Sequence, residues 1–246
     1  MSKNFEFLQQ IEKHREVFQE PASPAASGNG RKPRFDVEIF GQEERMKLVQ
    51  RLFNLPDSDA PRVVVFCGVE SGDGSSWVCA RASETLASQV KGDVCTVDAN
   101  LRTPSLHQHF QAVNHWGLAD AVRKPGPIRD FAKQLNGGNL WVMTCGSEAA
   151  DPHAVLTSER LPSRIAELKA EFDYVLLDVP PVNLYADATL LGRLAQGVVL
   201  VLGANSTRRE AARKAKESLE SAKVRLLGVV LNKRTFPIPD ALYRRI

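Results

Sequence analysis

From Arg62 onward, short apolar runs alternate along the chain with longer segments in which apolar residues recur at helical spacing. The runs are apolar at nearly every position, which is typical of strands covered on both faces. They lie at residues 62–67, 93–98, 140–145, 174–178, 197–203 and 225–232. Helical patterns lie at residues 41–55, 75–90, 161–172 and 206–222. The alternation predicts an α/β domain with a doubly wound, mostly parallel sheet and right-handed crossovers.

The segment before this domain has a different composition. Residues 1–20 include Phe5, Leu8, Ile11 and Phe18 near one stripe, which predicts an amino-terminal helix that packs on its own domain or docks on a partner. A stretch rich in Pro, Ala, Ser and Gly follows, typical of a flexible linker. We therefore divide the chain into a helix, a linker, a domain and a carboxy-terminal tail, with bounds 1–20, 21–40, 41–236 and 237–246.

Composition excludes several classes of protein. With 43% hydrophobic and 25% charged residues, the 246-residue chain is neither disordered throughout nor fibrous. A net charge of +3 is too small for a nucleic-acid coat, so no nucleic-acid partner is expected. Since the sequence has neither an apolar run long enough to span a membrane nor a secretory core, we predict a cytoplasmic protein. The four cysteines form no CxxC pair and are predicted to be buried thiols: Cys67, Cys79, Cys95 and Cys145.

The first predicted strand runs into a helix through the glycine-rich turn CGVESGDGSSW, residues 67–77. Small residues there let backbone N–H groups turn inward, and a helix amino terminus attracts phosphate. Gly72, Gly74 and Ser76 stand where the pattern GxxxxGK[ST] has its compact residues and its magnesium-binding hydroxyl, but Val69 replaces the first glycine and Ser75 the lysine. A turn of this composition needs no ligand, so the loop alone is a weak signal.

Two carboxylates strengthen the prediction of a ligand site. Asp98 ends the second strand in CTVDANLR, and Asp178 ends another in FDYVLLDVPPV. In an open α/β sheet, residues at the carboxyl ends of strands face the ligand crevice. Carboxylates there can hold Mg²⁺ directly or through water, although a strand-end aspartate can also simply cap the next turn.

Together these segments resemble, over residues 42–233, the cytoplasmic P-loop domain of bacterial tyrosine kinases that control capsule and exopolysaccharide production, relatives of the MinD and ParA ATPases. The family's PGEGKST corresponds to SGDGSSW, its IDADLRxPxLH to VDANLRTPSLH, and its YDYVIIDTPPV to FDYVLLDVPPV. LGVVLNKR matches its last core strand. The resemblance implies a P-loop NTPase fold of the MinD/ParA type.

It also implies a ligand, a set of site residues and partners. ATP or ADP with Mg²⁺ would be the cofactor. The implied nucleotide-binding residues are Gly72, Asp73, Gly74, Ser75, Ser76 and Asn232, the last at the position that touches adenine in related ATPases. The implied metal-binding residues are Ser76, Asp98 and Asp178. In the family, phosphoryl transfer goes to tyrosines of a neighbouring subunit in a ring, and a transmembrane chain-length regulator activates it. The implied partners are therefore that regulator, at the inner face of the membrane, and further copies of this chain.

The departures from the family concern catalysis. Ser75 lacks the ammonium of the usual lysine, and Asn100, two residues after the catalytic position Asp98, replaces an aspartate thought to act in catalysis or metal binding. Of three tyrosines, Tyr243 alone lies in the tail and is the candidate phosphoacceptor. We therefore predict a catalytically degraded kinase-like domain with a regulatory or scaffold role. The alternatives are a weak ATP-dependent tyrosine autokinase and a ParA/MinD-type positioning ATPase.

Overall fold

Seven strands form one sheet in the computed structural model, which describes residues 37–53, 60–146 and 151–233, without the side chains of 37–40. The strands are β1 Val63–Gly68, β2 Val94–Asp98, β3 Lys133–Gln134, β4 Leu140–Met143, β5 Tyr174–Val179, β6 Val198–Gly203 and β7 Leu226–Asn232. Their order is β3-β4-β2-β5-β1-β6-β7. Only the β3–β4 pair among them is antiparallel, so the predicted doubly wound, mostly parallel sheet is confirmed.

Helices cover both faces of this sheet. They are α1 Val37–Phe53, α2 Ser75–Gln89, α3 Leu106–His109, α4 Leu118–Arg123, α5 Pro152–Leu156, α6 Leu161–Glu171, α7 Asp187–Leu194 and α8 Arg209–Ser221, with a 3-10 helix at Ile128–Phe131. Alternate residues of β1 enter two different hydrophobic cores. Val64 and Phe66 pack with α1 and α2, whereas Val63 and Val65 pack on the other face with α6, α7 and α8. This double coverage explains why the central strands are apolar at consecutive positions.

Helix α1 begins at Val37, so residues 37–40 of the segment assigned to the linker are helical. All described residues belong to one compact unit that starts at Asp36. The predicted helix at 1–20, the rest of the predicted linker and the tail with Tyr243 lie outside the described residues.

The four cysteines are free and buried, as predicted. Burial raises the pKa of the Cys145 thiol to about 12, and the charges of Asp98 and Asp120 add to this effect. The thiols are therefore packing groups rather than nucleophiles. Within the described segments, the helices are too short or too polar to cross a membrane.

Candidate functional site

The site lies where the carboxyl ends of three adjacent strands meet. β5 lies between β2 and β1, and Asp98 of β2 is directly opposite Asp178 of β5 in the register of the sheet. The loop from Gly68 to Gly74 leaves the end of β1 and enters α2. The topology therefore brings the loop and both carboxylates, which are far apart in sequence, to one edge of the sheet.

Asp98 is fully buried and accepts backbone hydrogen bonds. One oxygen accepts from the N–H groups of Ser105 (3.0 Å) and Leu106 (2.9 Å), and the other from Asn100 (3.3 Å). Burial raises the pKa of Asp98 to about 6, and the three hydrogen bonds act in the opposite direction. The residue thus holds the turn after β2 in place while remaining close to its neighbour Asp178.

Asp178 is buried without such support. Neither carboxylate oxygen has a hydrogen-bond partner among the described residues. Burial, as the largest effect, and the charge of Asp98 raise the pKa of Asp178 well above the usual range. The nearby Ser76 hydroxyl is the smallest of the three effects and acts in the opposite direction. An unpaired buried carboxylate is costly unless a ligand, an ion or water completes its surroundings.

This arrangement fits a magnesium ion. Mg²⁺ prefers oxygen ligands, usually takes one or two carboxylates and keeps several waters. Asp98, Asp178 and the Ser76 hydroxyl supply oxygens of this kind. In the described part of the chain, no three Cys, His, Asp or Glu side chains converge, so phosphate oxygens and water would complete the coordination.

The stability of the magnesium-free protein should depend on Asp98. Its folded-state pKa of about 6 lies above the ordinary value of 3.8, so the folded state binds more protons than the unfolded state between these values. Ionisation of Asp98 should therefore lower the free energy of unfolding by about 3 kcal/mol as the pH rises from below 4 to above 6, and ionisation of Asp178, whose pKa is also raised, adds to this loss. Urea denaturation across this range measures the change.

Two controls test the assignment of this pH dependence. Asp98→Asn should remove the Asp98 contribution, because the amide does not titrate. Added Mg²⁺ should reduce the loss in the wild type by stabilising the ionised carboxylates. An equally steep loss in Asp98→Asn would show that other groups cause it.

The backbone of the loop demands glycine at two positions. Gly72 and Gly74 have φ angles of 86° and 84°, in the left-handed region that side chains disfavour. A Cβ on Gly74 would also lie 2.4 Å from Nδ2 of Asn232. Gly74 directly precedes α2 and provides no side-chain cap. The first N–H groups of α2, beginning at Ser75, are therefore left for a ligand.

Asp73 anchors this loop from inside the protein. Its Oδ2 accepts hydrogen bonds from the N–H groups of Val69 (3.0 Å) and Glu70 (2.8 Å). Its Oδ1 accepts from the N–H of Gly203 (3.1 Å) and the hydroxyl of Thr207 (2.8 Å). Asp73 was predicted to bind nucleotide through its backbone N–H, and this stays a prediction; its carboxylate faces these partners and fixes the loop to the end of β6.

The end of β7 holds the loop from another side. Asn232 donates from Nδ2 to the backbone oxygen of Asp73 (2.9 Å), and Lys233 donates from Nζ to the oxygen of Gly72 (2.6 Å). Asn232 was predicted to contact adenine; its amide here bonds to the loop. Lys233 was missed, although a lysine directly after a strand that ends at the crevice was a usable signal.

Asn100 is occupied locally. Its Oδ1 accepts from the N–H of Thr103 (3.1 Å), and its Nδ2 donates to the Thr103 hydroxyl (3.1 Å). The side chain therefore closes the turn after β2. In this conformation it supplies no free acid or base.

Arg102 connects that turn to α7. Its guanidinium donates two hydrogen bonds to Asp187 (3.0 and 3.1 Å), and it lies 4.0 Å from the centre of the Tyr185 ring. Because Asp187 is buried and Arg102 about one-third exposed, we expect Arg102→Met to lower the free energy of unfolding by about 2 kcal/mol.

A double-mutant cycle measures this pair by urea denaturation. Arg102→Met combined with Asp187→Asn should cost less than the sum of the two single changes, since the lost partner is shared. Additive costs would mean that the two groups do not stabilise each other.

No family model matches the chain. The tyrosine-protein kinase YwqD of Bacillus subtilis is 35% identical over 161 residues, which cover 65% of this chain and 68% of that protein. The crystal structure of the chimerical protein CapA2B2 is 27% identical, with a TM-score of 0.73 over 79% of this chain and 85% of the other.

The septum site-determining protein MinD from Pyrococcus horikoshii, solved with Mg-ADP, has a TM-score of 0.59 at 21% identity, covering 75% of this chain and 76% of that one. This likeness concerns the fold alone. Together with the identity to YwqD, these findings show that the chain belongs to the bacterial tyrosine-protein kinases, which have the P-loop fold of the MinD and ParA ATPases.

Proposed function

We propose that this chain binds Mg-ADP or Mg-ATP and acts as a regulatory subunit in capsule or exopolysaccharide assembly, with little phosphoryl transfer of its own. The observation that carries the proposal is the buried, unpaired carboxylate of Asp178 beside Asp98. Both lie at the same edge of the sheet as the amino terminus of α2, which has no side-chain cap. These features support binding of a metal and a phosphate. Ser75 and Asn100, in contrast, lack the charges that phosphoryl transfer uses.

The nucleotide would lie between the loop and the two strand-end carboxylates. Backbone N–H groups of Gly74, Ser75 and Ser76 would bind phosphate oxygens, and Ser76, Asp98 and Asp178 would hold Mg²⁺ with its waters. The bound ion would neutralise phosphate charge, as metals do in P-loop proteins. Asp73 would keep the loop open for the ligand by holding its base to β6.

Family resemblance supports the rest of the proposal. A transmembrane polysaccharide chain-length regulator would be the partner, holding this chain at the inner face of the plasma membrane. A homo-oligomer would form as in the family's rings.

Equilibrium binding and phosphotyrosine detection on the purified chain test the proposal. Mg-ADP should raise the melting temperature and change the fluorescence of Trp77, which lies beside Ser76 and is 41% exposed. Incubation with Mg-ATP should give little phosphotyrosine. Failure of Mg-ADP and Mg-ATP to bind at millimolar concentration would refute the proposal.

A weak tyrosine autokinase is the second candidate. The observation that favours it is the Lys233 ammonium at the loop, which supplies a cation despite Ser75. A strong phosphotyrosine signal that is lost in Tyr243→Phe would establish this candidate. The third candidate, a positioning ATPase, is supported by likeness of fold alone. ATP turnover stimulated by DNA would identify it.

A further inference from the structure

The phosphate loop carries no cation of its own. Residues 68–76 contain no lysine or arginine and include two acidic residues, Glu70 and Asp73. A nucleoside diphosphate would bring further negative charge to this loop. Backbone N–H groups and Mg²⁺ would offset part of that charge, but P-loop sites of this type also use a lysine, and Ser75 stands in its place.

One lysine reaches the loop from elsewhere in the fold. Among the hydrogen bonds and ion pairs described for residues 68–76, Lys233 provides the single lysine or arginine contact, from Nζ to the oxygen of Gly72. Its Cε lies 3.8 Å from the position that a Cβ on Gly74 would occupy. Lys124, by contrast, pairs with Asp120 and lies against Trp116.

The hydrogen bonds from Asn232 and Lys233 also bear on the direction of the loop N–H groups. In a trans peptide the C=O and the following N–H point in opposite directions. Asn232 and Lys233 bond to two successive carbonyl oxygens, those of Asp73 and Gly72. The bond from Asn232 therefore turns the N–H of Gly74 away from β7, and that N–H directly precedes the free N–H groups of α2.

The Lys233 ammonium can still donate hydrogen bonds to a ligand. It has three N–H donors, one of which bonds to Gly72. The side chain is exposed, and its four-carbon stem can move without displacing β7. Lys233 therefore combines a backbone position fixed by the strand end with a mobile charge beside the loop.

We propose that Lys233 is the phosphate-binding cation of this site, contributed from the end of β7 in place of the lysine that Ser75 lacks. This rests on the proposed nucleotide binding. Since its action is electrostatic, the contribution of Lys233 increases with the charge of the ligand. If Lys233 contacted the nucleoside instead, its contribution to affinity would be the same for adenosine, AMP and ADP.

The test compares Mg²⁺-containing solutions of adenosine, AMP and ADP by calorimetry on the full chain. Lys233→Met keeps the length of the side chain and removes its charge. It should lower the affinity for ADP about tenfold and leave adenosine binding nearly unchanged, with AMP between them. Lys233→Arg should keep most of the ADP affinity. Lys169→Met, an exposed lysine on α6, is the matched control and should change nothing.

Rescue provides a second measurement. Ser75→Lys in the Lys233→Met background should restore ADP affinity, because it places a positive charge beside the N–H groups that would bind phosphate. Equal losses for adenosine and ADP, or no loss for ADP, would overturn the proposal for Lys233 while leaving nucleotide binding intact. Absence of Mg-ADP binding by the wild type would refute both proposals. The melting temperatures of the ligand-free variants verify that each one folds, and Lys233→Gln, which also removes the charge, provides the same comparison if Lys233→Met does not fold.

Discussion

Ser75→Lys is expected to increase the affinity for Mg-ADP at least about tenfold, or about 1.4 kcal/mol. Ser75 is the first residue of α2, beside the N–H groups that would bind phosphate. An ammonium at about 4 Å from a phosphate charge gains about 4 kcal/mol at an effective dielectric constant of 20. Dehydration and ordering of the lysine stem, about 2 kcal/mol, oppose this gain. Calorimetric titration with Mg-ADP measures the net effect.

Ser75→Met is the matched control, since it adds a side chain of similar length without charge. It should leave the affinity unchanged or lower it. The gain from Ser75→Lys should also shrink as salt is added, because the interaction is between charges. Equal affinities for Ser75→Lys and Ser75→Met would mean that phosphate does not lie at the start of α2.

Asp73→Ala is expected to lower the free energy of unfolding by about 3 kcal/mol and to abolish measurable Mg-ADP binding. The change removes the acceptor of four hydrogen bonds in a buried position. Val69 and Gly203 keep other acceptors for their N–H groups, which limits the cost. Glu70 has no such second acceptor among the described contacts, and the loop would lose its connection to β6. Urea denaturation and calorimetry measure the two effects.

Thr207→Val provides the graded control for Asp73. It removes one donor to Oδ1 and leaves both loop N–H groups bonded to Oδ2. We expect a loss of about 1 kcal/mol in stability with nucleotide binding retained. If Asp73→Ala unfolded at the wild-type urea concentration and still bound Mg-ADP, the proposed anchoring role would be wrong.

The sheet was predictable because each central strand is covered on both faces. Val63 and Val64 enter different cores, so consecutive residues had to be apolar, and this pattern stands out in the sequence. β3 was missed, since it consists of the two exposed residues Lys133 and Gln134. The position of β1 between β5 and β6 was also beyond local patterns, because it depends on pairing between distant segments.

In the candidate site, residue types at strand ends were informative and side-chain directions were not. Asp98 and Asp178 could be placed at the crevice because parallel strands end at one edge. The anchoring role of Asp73 depends on Gly203, 130 residues away, and the contact of Lys233 with Gly72 spans 161 residues. Only the folded chain brings such partners together, so no spacing rule could have predicted them.

The loop is held by the outermost strand of the sheet. Within the described residues β7 pairs with β6 alone, and Val229 and Leu231 are more than half exposed. Strands at this position open more readily than central ones, and opening of β7 would release both side chains that bond to the loop. Ligand occupancy should therefore slow hydrogen exchange at the amides of β7. Binding at the loop after β1 would thus change the stability of the edge strand, on a surface that another molecule can contact.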